Sequence, residues 1–327
     1  MSAKLYIVEK PQTSQKSNQK KKRNLLQSVA FIGKFLTKTI SIYLLSAFLI
    51  VCIVYMPDIQ FMPDPESPEG FQRKIGWQLS LLQIKGFFTH LITEGHFGVT
   101  KSDSPISGEI ARLFPRTGKI IFTSFLLIMI LGILKGIFDF RHKDRWSRMF
   151  GDRLTSVLHS FPDFYFISAM IWIVLLLFKP IDFMLFASDE WYGFILPSIL
   201  VSLYPITYVA KITLSTLLEE SSKQYVQVSF SKGFTSKIVI YQHMLVNCFS
   251  KILSHVTSIM LLLLSNLFIL ELFLDYKGMA LRLYTAIPFE KELIIALAWI
   301  FMTIVFFTQI ISFFLQYYID PTIRRNP

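Results

Sequence analysis

Hydrophobic and polar positions fall in long blocks along the chain, not in short alternation. Six apolar blocks stand between polar stretches, at residues 35–55, 117–138, 161–178, 194–214, 252–274 and 293–318. A hydrocarbon core about 30 Å thick requires about 20 apolar residues of a helix, so each block predicts a transmembrane helix. The weak ten-residue alternation of a membrane barrel is absent. The expected fold is an all-α integral membrane protein with six transmembrane helices and a sizeable polar segment between the first and second. The block at 161–178 is short, and Pro162 falls at its first turn, where proline costs a helix little.

Composition agrees with this pattern. The chain is 53% hydrophobic and 15% aromatic. Its net charge of +11 invites a nucleic-acid reading, but the basic residues sit mainly beside the apolar blocks, as membrane orientation requires. With the N-terminus inside, the inner segments hold 19 Lys and Arg and the outer ones 10, which predicts N-in, C-in topology. Residues 1–34 then form a basic cytoplasmic tail, read as an unstructured anchor, with a lipid-headgroup contact open to the cluster Lys20–Arg23. Residues 35–116 carry the first span and the outer segment, and 117–327 the rest. Residues 56–68 are rich in proline and acid and predict an extended connection.

Few side chains suggest chemistry. Cys52 and Cys248 have neither the pairing nor the spacing of a disulfide or metal site. Lys38, Lys119, Lys135 and Lys211 lie near span ends and can snorkel. His255 and Glu271 fall within the fifth block, near opposite edges, where each can reach polar surroundings. Gly132 and Gly136 form a small-xxx-small pair, a helix-packing face.

The most informative polar stretch is residues 219–247, on the cytoplasmic side of the predicted topology. Within it, "QYVQVSFSKGFTSKIVIYQHMLVN" has Val226, Phe230 and Phe234 in one row, flanked by Tyr225 and Val228. This reads as a short helix with a narrow apolar stripe. Gly233 stands where a helix ends in a left-handed residue. Ser236 can cap a second helix, with Ile238, Tyr241 and Leu245 at helical spacing. Such a helix–glycine–helix element fits a groove on another protein or a lipid surface equally well.

This loop resembles the signature loop of ABC-transporter permeases of the oligopeptide/dipeptide, binding-protein-dependent import family. The family pattern is D/Q-Y-V, a short helix, K-G, then H-x-L-x-N; it is matched by Tyr225, Val226, Lys232, Gly233, His243, Leu245 and Asn247. Further matches are "EGHFGVTKSDSPISGEIARLFPRTGKI", "SFPDFYF", "LPSILVSLYPITYVAKITLSTLLEE", "ELFLDYKGM" and "IDPTIRR", in family order. The chain departs from the family at Ser229, Phe230 and Ser231, where alanines are usual. It departs again at Lys251 in place of a proline, and at Lys277-Gly278 and Ala280 in place of Pro-Gly and a second glycine.

The resemblance implies an ABC type I importer permease fold and a multi-pass place in the bacterial plasma membrane. It implies that the loop, through Tyr225, Val226, Phe230, Lys232, Gly233, Phe234, His243 and Asn247, couples to ATPase subunits. The implied partners are a second homologous permease, two cytoplasmic ABC ATPases, an extracellular substrate-binding lipoprotein and membrane lipid, with no nucleic acid. Short peptides are the implied cargo. No cofactor is implied, and a transport subunit without an ATPase site is expected, since the sequence holds no GxxxxGK[ST] loop. The alternative is a secondary transporter of small solutes driven by an ion gradient. That class is expected to show internal repeats or mid-span ionisable residues.

Overall fold

A computed structural model describes residues 13–56, 59–63, 71–75, 77–101, 103–142, 151–178, 191–287 and 289–320. In chain order the elements are α1 (Thr13–Val54), β1 (Ile59–Pro63), β2 (Phe71–Ile75), α2 (Trp77–Thr93), α3 (Ile106–Arg141), α4 (Asp152–Ser160) and α5 (Asp163–Phe178). There follow α6 (Ile195–Ser221), α7 (Gln224–Ser231), α8 (Ser236–Ile238), a π-helical turn (Val239–Met244), α9 (Leu245–Ser254), α10 (Val256–Phe273), α11 (Met279–Ala286) and α12 (Lys291–Ile319). The strands pair antiparallel as a single hairpin, Ile59 opposite Ile75. The proline-rich connection is thus extended over part of its length, as expected.

Among the described residues, five helices are long and apolar enough to cross a membrane: α1 over Val29–Val54, α3, α6, α10 and α12. A sixth crossing is reached if α4 and α5, bent by 102° at the break between them, are counted as one broken span. Pro162 lies at the break, immediately before α5, and not inside its first turn. It has no N–H to continue α4, and it holds Phe161 in an extended conformation (φ −73°, ψ 140°). Helix α1 reaches back to Thr13, into the tail read as unstructured. Extending an existing helix by good helix formers such as Gln and Lys avoids the nucleation cost.

The core is centred on α10, where Ile259, Leu263, Leu267 and Leu270 are fully buried. Around it, α3 and α6 meet at the two small residues singled out in the sequence. A Cβ on Gly132 would lie 2.6 Å from the Val209 Cβ; on Gly136 it would lie 2.7 Å from the Ala210 carbonyl oxygen. Only glycine lets these backbones approach so closely. Helices α1 and α12 run antiparallel. Their ladder links Tyr55 to Glu292 (3.2 Å), the Ala47 carbonyl to Trp299 (3.2 Å) and Tyr43 to Thr303 (2.9 Å).

Two of the intramembrane readings change. Glu271 does not reach outward to polar surroundings; it is completely buried. Its carboxylate accepts hydrogen bonds from Thr117 Oγ1 and the Leu281 N–H, both at 2.9 Å. Thr117 in turn accepts from the Met279 N–H at 2.8 Å. The carboxylate therefore caps α11 from inside the fold, satisfying donors that the first helical turn leaves free. A Cβ on Gly278 would fall 2.1 Å from Glu271 Oε1. The "ELFLDYKGM" motif is thus an internal clamp. His255 stands in the turn between α9 and α10, and not within a continuous span. Lys135 does more than snorkel: it pairs with buried Asp139, and Thr155 bonds both, fixing α3 to α4.

Candidate functional site: the elbow between the fourth and fifth spans

Helix α6 ends at Ser221, and Lys223 turns the chain into α7 with extended backbone (ψ 146°). Helix α7 ends on Gly233, whose φ is +81°. The Gly233 N–H donates to the Phe230 carbonyl (2.9 Å) and the Phe234 N–H to the Ser229 carbonyl (3.3 Å). These two bonds define a Schellman ending, which needs a left-handed residue where Gly233 stands. The glycine turn read from the sequence is therefore a structural requirement.

The second limb differs in detail. Thr235, not Ser236, occupies the N-cap position, and its side chain makes no capping bond. The π-helical turn then widens the helix, so that Val239 and Ile240 both face inward with Met244. Beyond it, Cys248 and Ile252 continue the buried face.

The apolar row expected on α7 divides in two. Val226 is 1% exposed and belongs to the main core, whereas Phe230 and Phe234 are 49% and 44% exposed. Residues four apart drift by about 40° around a helix. The helix also ends at Ser231, so Phe234 leaves its path altogether. Val226 thus anchors the limb, while Val228, Phe230, Phe234, Ile238 and Tyr241 form an outward patch. Lys232 and Lys237 are exposed beside it. The His243 ring lies 6.1 Å from that of Phe234, bridging the two limbs.

A residue not selected from the sequence holds the elbow together. Glu220, at the end of α6, is almost fully buried. Tyr225 and Lys223 both donate to its carboxylate. Asn247 Nδ2 donates to Glu220 Oε2 and to Tyr225 Oη, each at 3.2 Å. Three side chains thus converge on one carboxylate. Burial, reinforced by the bond to Glu220, pushes the Tyr225 hydroxyl up to about 12, so it remains a protonated donor at any physiological pH. One signal was present in the sequence. Adjacent acids at a helix C-terminus oppose the macrodipole, so an acid kept there calls for donors nearby. The neighbouring Glu219 pairs at the surface with Lys251, the residue that replaces the family proline.

The structure thus brings Tyr225 and Val226 to the inner side of the elbow, with exposed Asn247 bonded to Glu220 at its edge, and Phe230, Lys232 and Phe234 to its outer side, with Gly233 as the turn. Buried carboxylate and exposed apolar patch lie on opposite sides of one short helix. Such an arrangement can bind a groove and transmit a push to α6 and α9. Among the described residues, no group of three or more His, Cys, Asp or Glu could hold a metal ion.

Comparisons with known proteins agree with this geometry. The family model of the binding-protein-dependent transport system inner membrane component matches residues 128–325, which include the whole elbow. The dipeptide transport system permease protein DppB of Lactococcus lactis is 25% identical over 313 residues, covering 89% of this chain and 99% of that protein. The glutathione transport system permease protein GsiC of Salmonella paratyphi A is 27% identical over 220 residues, 65% of this chain and 70% of that protein. Among solved structures, the inward-facing MetNI methionine ABC transporter matches with a TM-score of 0.53 at 11% identity. The match covers 64% of this chain and 96% of that one, a likeness of fold. A family match over most of the chain, with its elbow intact, places the protein: the chain belongs to the binding-protein-dependent transport system inner membrane component family.

Proposed function

We propose that the chain forms half of the translocation path of an ATP-driven importer for oligopeptides or dipeptides. In this reading residues 219–247 are its lever. The peptide cargo follows the relatives whose names carry it, a dipeptide permease and a glutathione permease. Six spans from one chain rarely enclose a peptide-sized path, so a second, homologous permease completes it. Energy comes from two separate cytoplasmic ATPases, and cargo from an extracellular substrate-binding lipoprotein. The chain itself supplies no ATPase site.

The observation that carries this reading is the two-sided elbow. Its outward patch, Phe230, Phe234, Ile238 and Tyr241 with Lys232 beside them, suits a helix-in-groove contact. Its inward side is tied by Glu220 to α6, α7 and α9. When the ATPases close, the groove displaces the patch. The buried carboxylate passes that displacement to α6, a span, and to α9, which leads into the span α10. Coupling of this kind needs contacts that differ between two states of a bistable element, and a stiff elbow supplies them. A secondary transporter has no use for a gripping surface at this place.

Gly233→Pro tests the reading. Proline fixes φ near −65°, against +81° here, and deletes the N–H that bonds Phe230. In the complete complex, the variant is expected to reach the membrane at normal abundance. Uptake and substrate-stimulated ATP turnover are both expected to be lost. Normal uptake at normal abundance would remove the lever from the mechanism.

A further inference from the structure

Helix α2 follows the β-hairpin at the end of the molecule opposite the elbow. It is not among the membrane-crossing helices, yet it carries more apolar surface than its packing uses. One sector is spent on the fold: Ile84, Phe87 and Leu91 pack against α1 and α12 together with Tyr55 and Trp299. Beside that sector lies a second, formed by Trp77, Leu81, Phe88 and Ile92, spaced 4, 7 and 4 residues apart. That spacing keeps them on one face. Trp77, Leu81 and Ile92 are 57%, 65% and 80% exposed. The remaining face carries Gln83, Thr89 and His90, with Leu82, 66% exposed, among them, and Lys85 borders the stripe. Just beyond the helix, Glu94 lies 3.0 Å from both His90 and His96.

The depth of α2 follows from its ring contacts. Phe88 stacks on Phe48 of α1, with centroids 6.3 Å apart. Phe48 lies six residues inside Val54, the end of the membrane-crossing part of α1, or about 9 Å at 1.5 Å per residue. Phe48 itself is half exposed, on a face of α1 that also presents Leu44 and Leu45. The open stripe of α2 is therefore continuous with the apolar face of a spanning helix, below that helix's end. A tryptophan opens α2, as is common where a chain enters the membrane–water interface.

We propose that α2 is an interfacial helix. Its stripe Trp77, Leu81, Phe88 and Ile92 is immersed among the lipid acyl chains of the leaflet opposite the elbow. Its Gln83–His90 face is turned to water, and Lys85 borders the stripe, where its ammonium can snorkel. The occupant of the stripe is lipid, because the stripe extends a lipid-facing surface and lies at acyl-chain depth. An amphipathic helix lying flat at this level buries its apolar side by several ångströms into the headgroup–acyl boundary. One consequence is mechanical. Because α2 packs on both α1 and α12, a helix floating at fixed depth resists vertical sliding of that pair.

The test uses the complete complex in nanodiscs, with Trp77 as the only tryptophan of this chain and of its partner subunits. Lipids brominated at acyl carbons 6 and 7 are expected to quench its emission by more than half, whereas aqueous iodide should quench it little. In a Cys-free background, cysteines at positions 81 and 92 are expected to react with a water-soluble maleimide about tenfold more slowly than cysteines at positions 83 and 90, on the opposite face. Strong iodide quenching of Trp77, or equal labelling at all four positions, would overturn the proposal. So would slow labelling at 81 and 92 that appears only when a substrate-binding protein is added, since the occupant would then be protein. The labelling comparison stands even if removal of the other tryptophans lowers yield.

Discussion

The molecule buries a glutamate at each end of its helical core, and the two are satisfied in opposite ways. Glu271, at the end away from the elbow, is held by a backbone N–H and by Thr117, with Gly278 pressed against it. Glu220, behind the elbow, is held by three side chains, those of Lys223, Tyr225 and Asn247. Backbone donors at the start of a helix are fixed in space, and they admit one arrangement. Side-chain donors can trade partners while the backbone shifts. The first glutamate suits a static clamp. The second, on the proposed function, suits a joint that holds under load and relaxes between two states.

The largest expected effect breaks the clamp. Gly278→Ala puts a methyl within 2.1 Å of a buried carboxylate oxygen. Overpacking of this kind costs about 1–3 kcal/mol and occasionally more. Displacing the carboxylate would also strand buried donors, for about 1–3 kcal/mol each. The variant is expected to fall sharply in abundance and melting temperature, measured by fluorescence-detected size exclusion. Gly136→Ala comes next, because its Cβ would meet the Ala210 carbonyl oxygen at 2.7 Å along the α3–α6 seam. A loss of about 1–3 kcal/mol is expected, read by the same assay.

Smaller effects sharpen the joint. Tyr225→Phe deletes the hydrogen bond to the buried carboxylate and the one accepted from Asn247, and leaves the ring in place. A stability loss of about 1–2 kcal/mol is expected, with abundance close to normal. The ratio of cargo imported to ATP hydrolysed should fall in this variant, and it should not fall in Gly278→Ala molecules that do fold. If both ratios fall alike, the two glutamates do not differ in role. The smallest effect belongs to Lys251→Ala. Its pair with Glu219 is at the surface, where ion pairs contribute little, so uptake and melting temperature should not change.

Much of this was legible in the chain. The positions of the apolar blocks follow from membrane thickness, which acts on each segment separately. The glycine turn was legible for a similar reason, since a left-handed residue is a local demand. The Gly132 and Gly136 pair also announced its seam. Three features were not legible. The split of Val226 from Phe230 depends on which side of α7 the core lies. The π-helical turn has no place in a 3.6-residue repeat. The Glu220 network joins residues up to 27 positions apart, and nothing local marks Asn247 as the partner of Glu220.

Sequence alone determined how many times the chain can cross a membrane and where the elbow bends, because hydrocarbon thickness and backbone sterics constrain short stretches one at a time. Only the tertiary structure decided which acids are buried and what holds them. Burial and hydrogen-bond partnership are properties of distant segments brought together, and a polar residue looks the same in sequence whether water or another helix will face it.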